Sequence, residues 1–469
     1  MRALHWFRND LRLDDNTALA ESAGADALVA VFVLDDAILM SPRTGAPRVR
    51  FLVDCLARLA GALEHRGSKL VLRRGDPATE IPRLAAEAHA DLVTWNRCDT
   101  PLARRRDARV RAALDRAGVR VVDCRDHVMF QSSDVRTLSG GPYAVYTPYR
   151  NAWHGRLARE PQPPVATPRL PPPVPGIPCD ALPDAKALGF GGDETELPPG
   201  GEAAARTRLE RFLSGPVRAY ARDRDYPAID GTSRLSPYLR FGAISVRTCV
   251  DAAQACARDD RSAAEGARKW IDELVWRDFY HAVLAEHPRV QHGSYRREFD
   301  TLEWNDDPQG LTAWREGRTG YPIVDAAMRQ LATTGWMHNR LRMIVASFLT
   351  KDLLLDWRLG EDFFFRRLAD GDPASNNGGW QWASSTGTDA QPYFRIFNPV
   401  SQGTKFDPDG EFVRRFIPEL AAVEDRFVHA PWEAARPPKG YPDPIVSHSE
   451  RRILALRRYE AARARARAR

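Results

Sequence analysis

The sequence has almost no lysine, no export signal, no long apolar run and no phosphate-binding glycine fingerprint, and each absence excludes something. Arginine supplies nearly all of the 68 Lys+Arg residues, the formal net charge is +6 and the pI is near 9.0. That balance permits a polyanionic partner, but a GC-rich genome produces the same arginine bias, so charge alone argues weakly. The opening MRALHWFRNDLRLDD turns charged too soon for a signal peptide. No apolar stretch is long enough to span a bilayer. The six cysteines (Cys55, Cys98, Cys124, Cys179, Cys249, Cys256) form no CxxC and no metal-ligand spacing. The expected compartment is therefore a reducing cytoplasm, and no metal site is expected. No GxGxxG follows any strand pattern, so a bound dinucleotide would sit outside a Rossmann turn.

What is present is an ordinary globular composition, 43% hydrophobic and 28% charged over 469 residues, enough for two or three domains. From Arg2 to about Phe130, strand and helix patterns alternate. ALHWF, ALVAVFV, KLVLR, DLVTW and VRVVD read as buried strands. PRVRFLVDCLARLAGALEHRG and PLARRRDARVRAALDRAG read as helices, with Gly67 and Gly118 where C-caps belong. This predicts an α/β domain over residues 1–130, built on a doubly wound parallel sheet. A connector is expected over 131–200. Its proline-dense part, EPQPPVATPRLPPPVPGIPCDALPD, can build neither ladder nor helix. From 201 to 469 the patterns are helical, predicting an all-α domain. The final AARARARAR reads as a frayed, solvated end.

The stretch Asp370 to Pro399, DGDPASNNGGWQWASSTGTDAQPYFRIFNP, shows neither apolar period and reads as too irregular for a core element. Small polar residues and glycines allow close backbone approach to a flat ligand, and two Trp supply π surface. The alternative is a turn-rich loop between helices. Three other elements carry unusual chemistry. TSRLS, Thr232 to Ser236, offers hydroxyls and a guanidinium for phosphate, or ordinary N-capping. In WIDELVWRDFY, Glu273, Trp276, Arg277 and Tyr280 fall at i, i+3, i+4 and i+7 and share a face, unlike either a core or a solvent face. The bland reading is internal Glu–Arg pairing. In GWMHNRLRMI, Asn339 and Met343 are i, i+4, with Arg340 beside them and Arg342 pointing elsewhere. That suits the wall of a pocket for a flat guest, or a core-filling Met343.

The run GTSRLS, ELVWRDFY, GYPIVDAAMRQLATTGWMHNRLRM, DGDPASNNGGWQW and STGTDAQPYFRIFNP, with the opening WFRNDLRLDDN, resembles the class I DNA photolyases of the photolyase/cryptochrome family. The resemblance covers nearly the whole chain. It implies FAD held in the helical half, gripped by Tyr220, Thr232, Ser233, Arg234, Leu235 and Ser236, and lined by Trp270, Arg277, Arg342, Asp370, Gly371, Asp372 and Asn376. Arg342 and Asp370 should pair near the ring edge, and Asn376 should face the flavin N5. The implied activity is light-driven repair of cyclobutane pyrimidine dimers in UV-damaged DNA, by an electron passed from reduced FAD to the flipped-out lesion and returned. Glu273 should hydrogen-bond the lesion's carbonyls if protonated in a closed site. Trp276 and Trp382 should stack on the dimer, with Met343 beneath and Asn339 and Arg340 helping to hold it. Trp380, Trp357 and Trp304 match the family's electron-transfer chain, which reduces the resident flavin and takes no part in repair.

A cryptochrome-type photoreceptor without repair activity is the main alternative. Plant-type members place an acid where this chain has Asn376, and (6-4) photoproduct enzymes place histidines where it has Asn339 and Met343. His338, one place off, is expected to pack. A second, antenna chromophore is expected in the N-terminal domain. Folate-binding members carry Asn-Glu where this chain has Leu102-Ala103, while WNRCDTPLARRRD and APRV near Arg48 resemble deazaflavin-binding members. The candidates are 8-hydroxy-5-deazaflavin and 5,10-methenyltetrahydrofolate. The family default is a monomer.

Overall fold

Five short runs rich in Val, Leu, Ala and aromatics pair side by side: β1 (Arg2–Phe7), β2 (Ala27–Asp35), β3 (Leu70–Gly75), β4 (Leu92–Asn96) and β5 (Arg120–Cys124). In this computed structural model, which describes residues 1–389 and 396–467, all pairings are parallel, in the order β3-β2-β1-β4-β5. Leu4 sits opposite Val29 on one side and Val93 on the other. Both faces of β1 are buried, Ala3 and Phe7 in one core cluster and Leu4 and Trp6 in another. That two-sided burial is why the strands read as nearly continuous apolar runs. Helices α1 (Ala46–His65), α2 (Pro77–Glu87) and α3 (Pro101–Arg116) cover the sheet. Gly67 and Gly118 have φ of +72° and +71°, the left-handed conformation expected after α1 and α3. Helix α2 was not apparent from the sequence: it carries Pro82 in its interior, although Pro77 suits its first turn and Ile81, Leu84 and Ala85 keep a buried face.

The connector is more ordered than expected. It contains α4 (Tyr146–Arg159), which buries Tyr146, Tyr149, Trp153 and Leu157. The proline-dense segment also makes one bridge to the sheet: Leu28 N–H donates to Pro172 O and Val174 N–H to Leu28 O. Val174 carries the N–H that its proline neighbours lack, so the ladder stops there.

Beyond it no described residue is in a strand. The helices that position the site are α5 (Glu202–Ser214), α6 (Val246–Asp259), α7 (Ala264–Glu286), α8 (Pro322–Thr334), α9 (Asn339–Ser347), α10 (Trp357–Arg367), α11 (Pro373–Ala383) and α12 (His448–Arg467). A π-helical turn, Phe348–Asp352, extends α9.

Two expectations are corrected by the structure. The stretch after Asp370 is not a loop: PASNNGGWQWA is the helix α11. Asp372 caps it by accepting from Ala374 and Ser375 N–H, and Pro373 sits in its first turn. The helical period is invisible because the buried face is polar. Asn377 Nδ2 and Gln381 Nε2 both donate to Val290 O at 3.0 Å. The remainder of the stretch that spans 390–395 lies outside the described residues. The basic tail is not frayed either, as far as Arg467. Ala455, Tyr459 and Ala462 of α12 are buried, and Arg465 pairs with Glu303 at 2.6 Å.

The two halves meet over buried charge. Asp126 accepts from Arg12 and from Arg247 of α6, both at 2.6 Å, and Arg247 also holds Asp15 at 3.0 Å. All four are nearly inaccessible to solvent. Arg247→Leu leaves two carboxylates with too little countercharge. It should destabilise the chain by about 3–5 kcal/mol, measured as a lower denaturant midpoint; an unchanged midpoint would show that the network contributes nothing.

Candidate functional site

The site is built where α7, α9 and α11 converge. On α9, the Arg342 guanidinium donates to Met337 O at 2.9 Å and to Asp370 Oδ2 at 2.7 Å, so the expected Arg342–Asp370 pair is present. The other carboxylate oxygen, Asp370 Oδ1, is buried without a partner. A buried acceptor left unmade is costly and marks a place for an incoming donor. On α11, Asn376 is buried and its Nδ2 donates to Glu361 O at 2.9 Å. Because that carbonyl needs a donor, the amide is oriented with Oδ1 outward, and no protein donor reaches Oδ1 among the described residues. One turn on, nothing lies within 4 Å of where a Cβ on Gly379 would sit. Trp382, half-buried, follows one turn later. The helix thus presents an amide oxygen, open space and an indole in succession. Its other glycine is needed for packing, since a Cβ on Gly378 would strike the Tyr280 ring at 2.1 Å.

Thr232 to Ser236 lead into a short helix, Ser236–Phe241, whose N-cap, Leu235, makes no side-chain capping bond. Of these hydroxyls, among the described residues, only that of Ser233 meets a backbone N–H at the helix start, that of Leu235 at 3.4 Å. Ser233 Oγ accepts the Trp270 indole N–H at 3.2 Å, and Ser236 Oγ that of Trp336 at 3.3 Å. Arg234 holds φ +50°, stacks over Trp336 at 4.9 Å and pairs with Asp230 at 3.0 Å. Thr232 Oγ1 makes no bond among the described residues. Tyr220 is buried beside Phe212, with the Arg224 guanidinium over its ring at 5.5 Å. A chain with the uncommitted Thr232 hydroxyl, Ser233 and Ser236 hydroxyls whose protons are still free to donate, an orphaned buried carboxylate oxygen and a free amide oxygen suits a ligand that is anionic at one end and a flat hydrogen-bonding ring at the other. FAD fits that description.

On α7, Glu273 is bound to Arg224 at 2.5 Å. As a partner of a guanidinium it is an acceptor, not the donor expected of a protonated acid. Trp276 stacks face to face on Tyr146 of α4, centroids 3.6 Å apart and planes 7° off, and leans on Tyr280 at 5.5 Å. Arg277 leaves the shared face. It donates to His127 O at 2.6 Å and lies within 3.2 Å of the His127 ring nitrogens. The i+4 spacing is real, but a long side chain reaches whichever acceptor is nearest, here a carbonyl just before the connector. On α9, Asn339 is exposed and unbonded among the described residues. Arg340 pairs with Asp225 at 2.8 Å, approaches the Met343 sulfur at 4.0 Å and lies over Phe406 at 4.4 Å. His338 caps α9, its Nδ1 accepting from Arg340 N–H, and burial pulls its imidazole down to about 4. It is structural, as expected.

Arg224, Asp225, Tyr146, His127 and His281 were not singled out in the sequence. The charge run in ARDRDY and the aromatic spacing Tyr146, Tyr149, Trp153 were the available signals. His127, His281 and Asp372 bring ligand atoms within 4.8 Å of one another. Burial, then Arg277 and His281, push the His127 imidazole well below its usual range. Burial alone would raise Asp372, but His281 and then Arg240 outweigh it and hold the carboxyl well below its usual range. With the guanidiniums of Arg277 and Arg240 acting on it, the group is a poor host for a cation. Gly371 sits in a tight place: its carbonyl accepts from Arg240 at 3.0 Å, and a Cβ would meet Arg48 at 2.6 Å.

The three tryptophans of the expected chain grade outward. Trp380 and Trp357 are buried and Trp304 is half-exposed. Trp380 makes its ring contacts with Phe364 at 5.0 Å and Trp314 at 6.0 Å, and Trp304 with Tyr459 at 6.5 Å. No described ring contact joins the three directly.

Comparison with known proteins agrees with this architecture. Residues 3–170 match the DNA photolyase family and 270–461 the FAD binding domain of DNA photolyase. The deoxyribodipyrimidine photo-lyase of Halobacterium salinarum is 44% identical, covering 98% of this chain and 99% of its own. A bacterial class III photolyase from Agrobacterium tumefaciens superposes with a TM-score of 0.90 at 37% identity, over 99% of this chain and 98% of that one. The archaeal photolyase from Sulfolobus tokodaii, solved with two FAD molecules, gives 0.82 at 32%, over 98% and 100%. Its helical half is thus an FAD-binding domain, and the chain belongs to the DNA photolyase family.

Proposed function

We propose that the chain repairs cyclobutane pyrimidine dimers in UV-damaged DNA, as a class I photolyase. The observation that carries this reading is the succession along α11 of the free Oδ1 of Asn376, the open space over Gly379 and the Trp382 indole. A flavin edge and a flat lesion can lie side by side along it. FAD, when bound in reduced form, supplies the light-driven electron.

The chain's own residues bind, orient and exclude water. Asp370 Oδ1 would accept from the flavin's ring edge while Arg342 holds the other oxygen, and the Asn376 amide oxygen would accept near N5. Thr232 to Ser236 and Tyr220 take the phosphate end, with Trp270 and Asp372 behind. Trp276 and Trp382 stack on the flipped-out lesion, Tyr280 backs Trp276, and Met343 supplies a polarizable floor. Asn339 and Arg340 hold the lesion's polar edge. Glu273, kept in place by Arg224, accepts an imide N–H as it stands. Trp380, Trp357 and Trp304, graded from buried to half-exposed, would serve to pass electrons to the flavin. A damaged pair is already weak, which lowers the cost of flipping it out.

A light-signalling role without repair is less well supported, because the amide at 376 stands where plant-type photoreceptors place an acid. Repair of (6-4) photoproducts lacks its histidines, His338 being a helix cap. The antenna chromophore, 8-hydroxy-5-deazaflavin or 5,10-methenyltetrahydrofolate, would sit in the sheet half. Among the described residues no helix is long and apolar enough to cross a membrane. All six cysteines are free.

Irradiating the reduced protein with a dimer-bearing oligonucleotide should restore thymine absorbance; no light-dependent recovery eliminates repair. Glu273→Ala removes one hydrogen bond to a charged group. It should lower dimer affinity by about 10- to 100-fold, read by titration with damaged oligonucleotide at constant flavin content. Unchanged affinity would strip Glu273 of this role.

A further inference from the structure

A second cleft opens behind the Trp276 wall, and the groups assigned to flavin and lesion leave it unused. It encloses about 700 Å³ between the connector at Val145, the segment carrying Arg296 and Glu298, the turn ending at Asp389, and the last turn of α12 with Arg463 and Arg467. It is linked to the site through Tyr146. Asp389 accepts from Tyr146 N–H at 3.1 Å, and the Tyr146 ring is the one stacked on Trp276.

The charge in this cleft is unbalanced. Glu298 is held by Arg296 at 2.6 Å, and Asp389 is engaged with Tyr146. Arg463 and Arg467 have no ion pair or hydrogen bond among the described residues, and Arg463 Nε is buried without a partner. The same helix shows what a structural arginine looks like. Arg458 donates to Glu303 O and Asn305 Oδ1, and Arg465 to Glu303 Oε1 and Thr301 O. Arg463 and Arg467 fall at i, i+4 on the cleft face. Arg463 is steadied over the Phe299 ring at 5.5 Å, so part of its ordering cost is already met. Ala144, Gly387 and Ala466 are among the cleft's lining residues, leaving room for a backbone to approach.

We propose that this cleft seats the sugar–phosphate backbone of the DNA beside the flipped-out lesion, with Arg463 and Arg467 each neutralising a phosphate. The proposal rests on the repair reading above. Guanidinium forks match phosphate oxygens, and such pairings fix the register of a protein on DNA without reading sequence.

The test is binding of a dimer-bearing duplex by anisotropy across a salt series, using the full chain. R463A/R467A should bind severalfold more weakly. The slope of log affinity against log salt should become shallower by about 2, one for each phosphate no longer neutralised. R463K/R467K should recover most of that slope, and Ala466→Lys, on an exposed position, should steepen it. The weakening should appear with duplex and be absent with a dimer dinucleotide, too short to reach the cleft. If R463A/R467A keeps the slope and affinity of the parent while the parent binds and repairs the duplex, the cleft assignment is wrong and the repair reading stands. If the parent neither binds nor repairs the duplex, both fall. Should the alanine variant fail to fold, an unaltered slope in Ala466→Lys overturns the cleft assignment by itself.

Discussion

The interaction on which the rest depends is the buried charge cluster between the halves. Arg12, Asp15 and Asp126 come from turns that follow strands of the sheet domain, and Arg247 from α6 of the helical domain. Taking four ions out of water is expensive, and their mutual attraction only offsets it when geometry is good. Such a cluster stabilises weakly but tolerates few alternatives, so it sets how the halves lie against each other. Gly242 works in the same place: at φ +61°, a Cβ there would sit 2.0 Å from Asn9 O. The opening turn of the chain can rest on the helical domain only because that side chain is missing. Once this seam is set, His127 lies where Arg277 can reach it, and Tyr146 lies where Trp276 can stack on it.

The sheet was legible because two-sided burial forces apolar runs, and hydrophobic pattern is what sequence shows best. The long amphipathic helices α1, α3, α6, α7 and α8 were legible for the same reason. Helix α11 was not. Its buried residues include Asn376, Asn377, Trp380 and Gln381, and the amides among them reach backbone carbonyls of Val290, Gly293 and Glu361. A helix that buries amides has no apolar stripe to find. Helix α12 failed differently, because Tyr459 and two alanines suffice to dock it and arginines flood the signal.

At the site, residue types were legible and their directions were not. The Arg342–Asp370 pair that the resemblance implied is present, and His338, expected to pack, is buried and caps α9. Arg277 shares a helical face with Glu273 yet turns to the carbonyl of His127, 150 positions away in sequence. Glu273 finds Arg224 from a separate short segment. Such partners come from tertiary assembly, and no periodicity within one segment contains them.

The Tyr146–Trp276 stack, at 3.6 Å and 7°, has a consequence for how this architecture can be inherited. One ring belongs to the connector and the other to the flavin-binding helices. A gene fusion that paired these helices with a foreign linker would keep the cofactor cradle and lose the rear support of its aromatic wall. Linker and catalytic helices must therefore be passed on together, as one unit of descent.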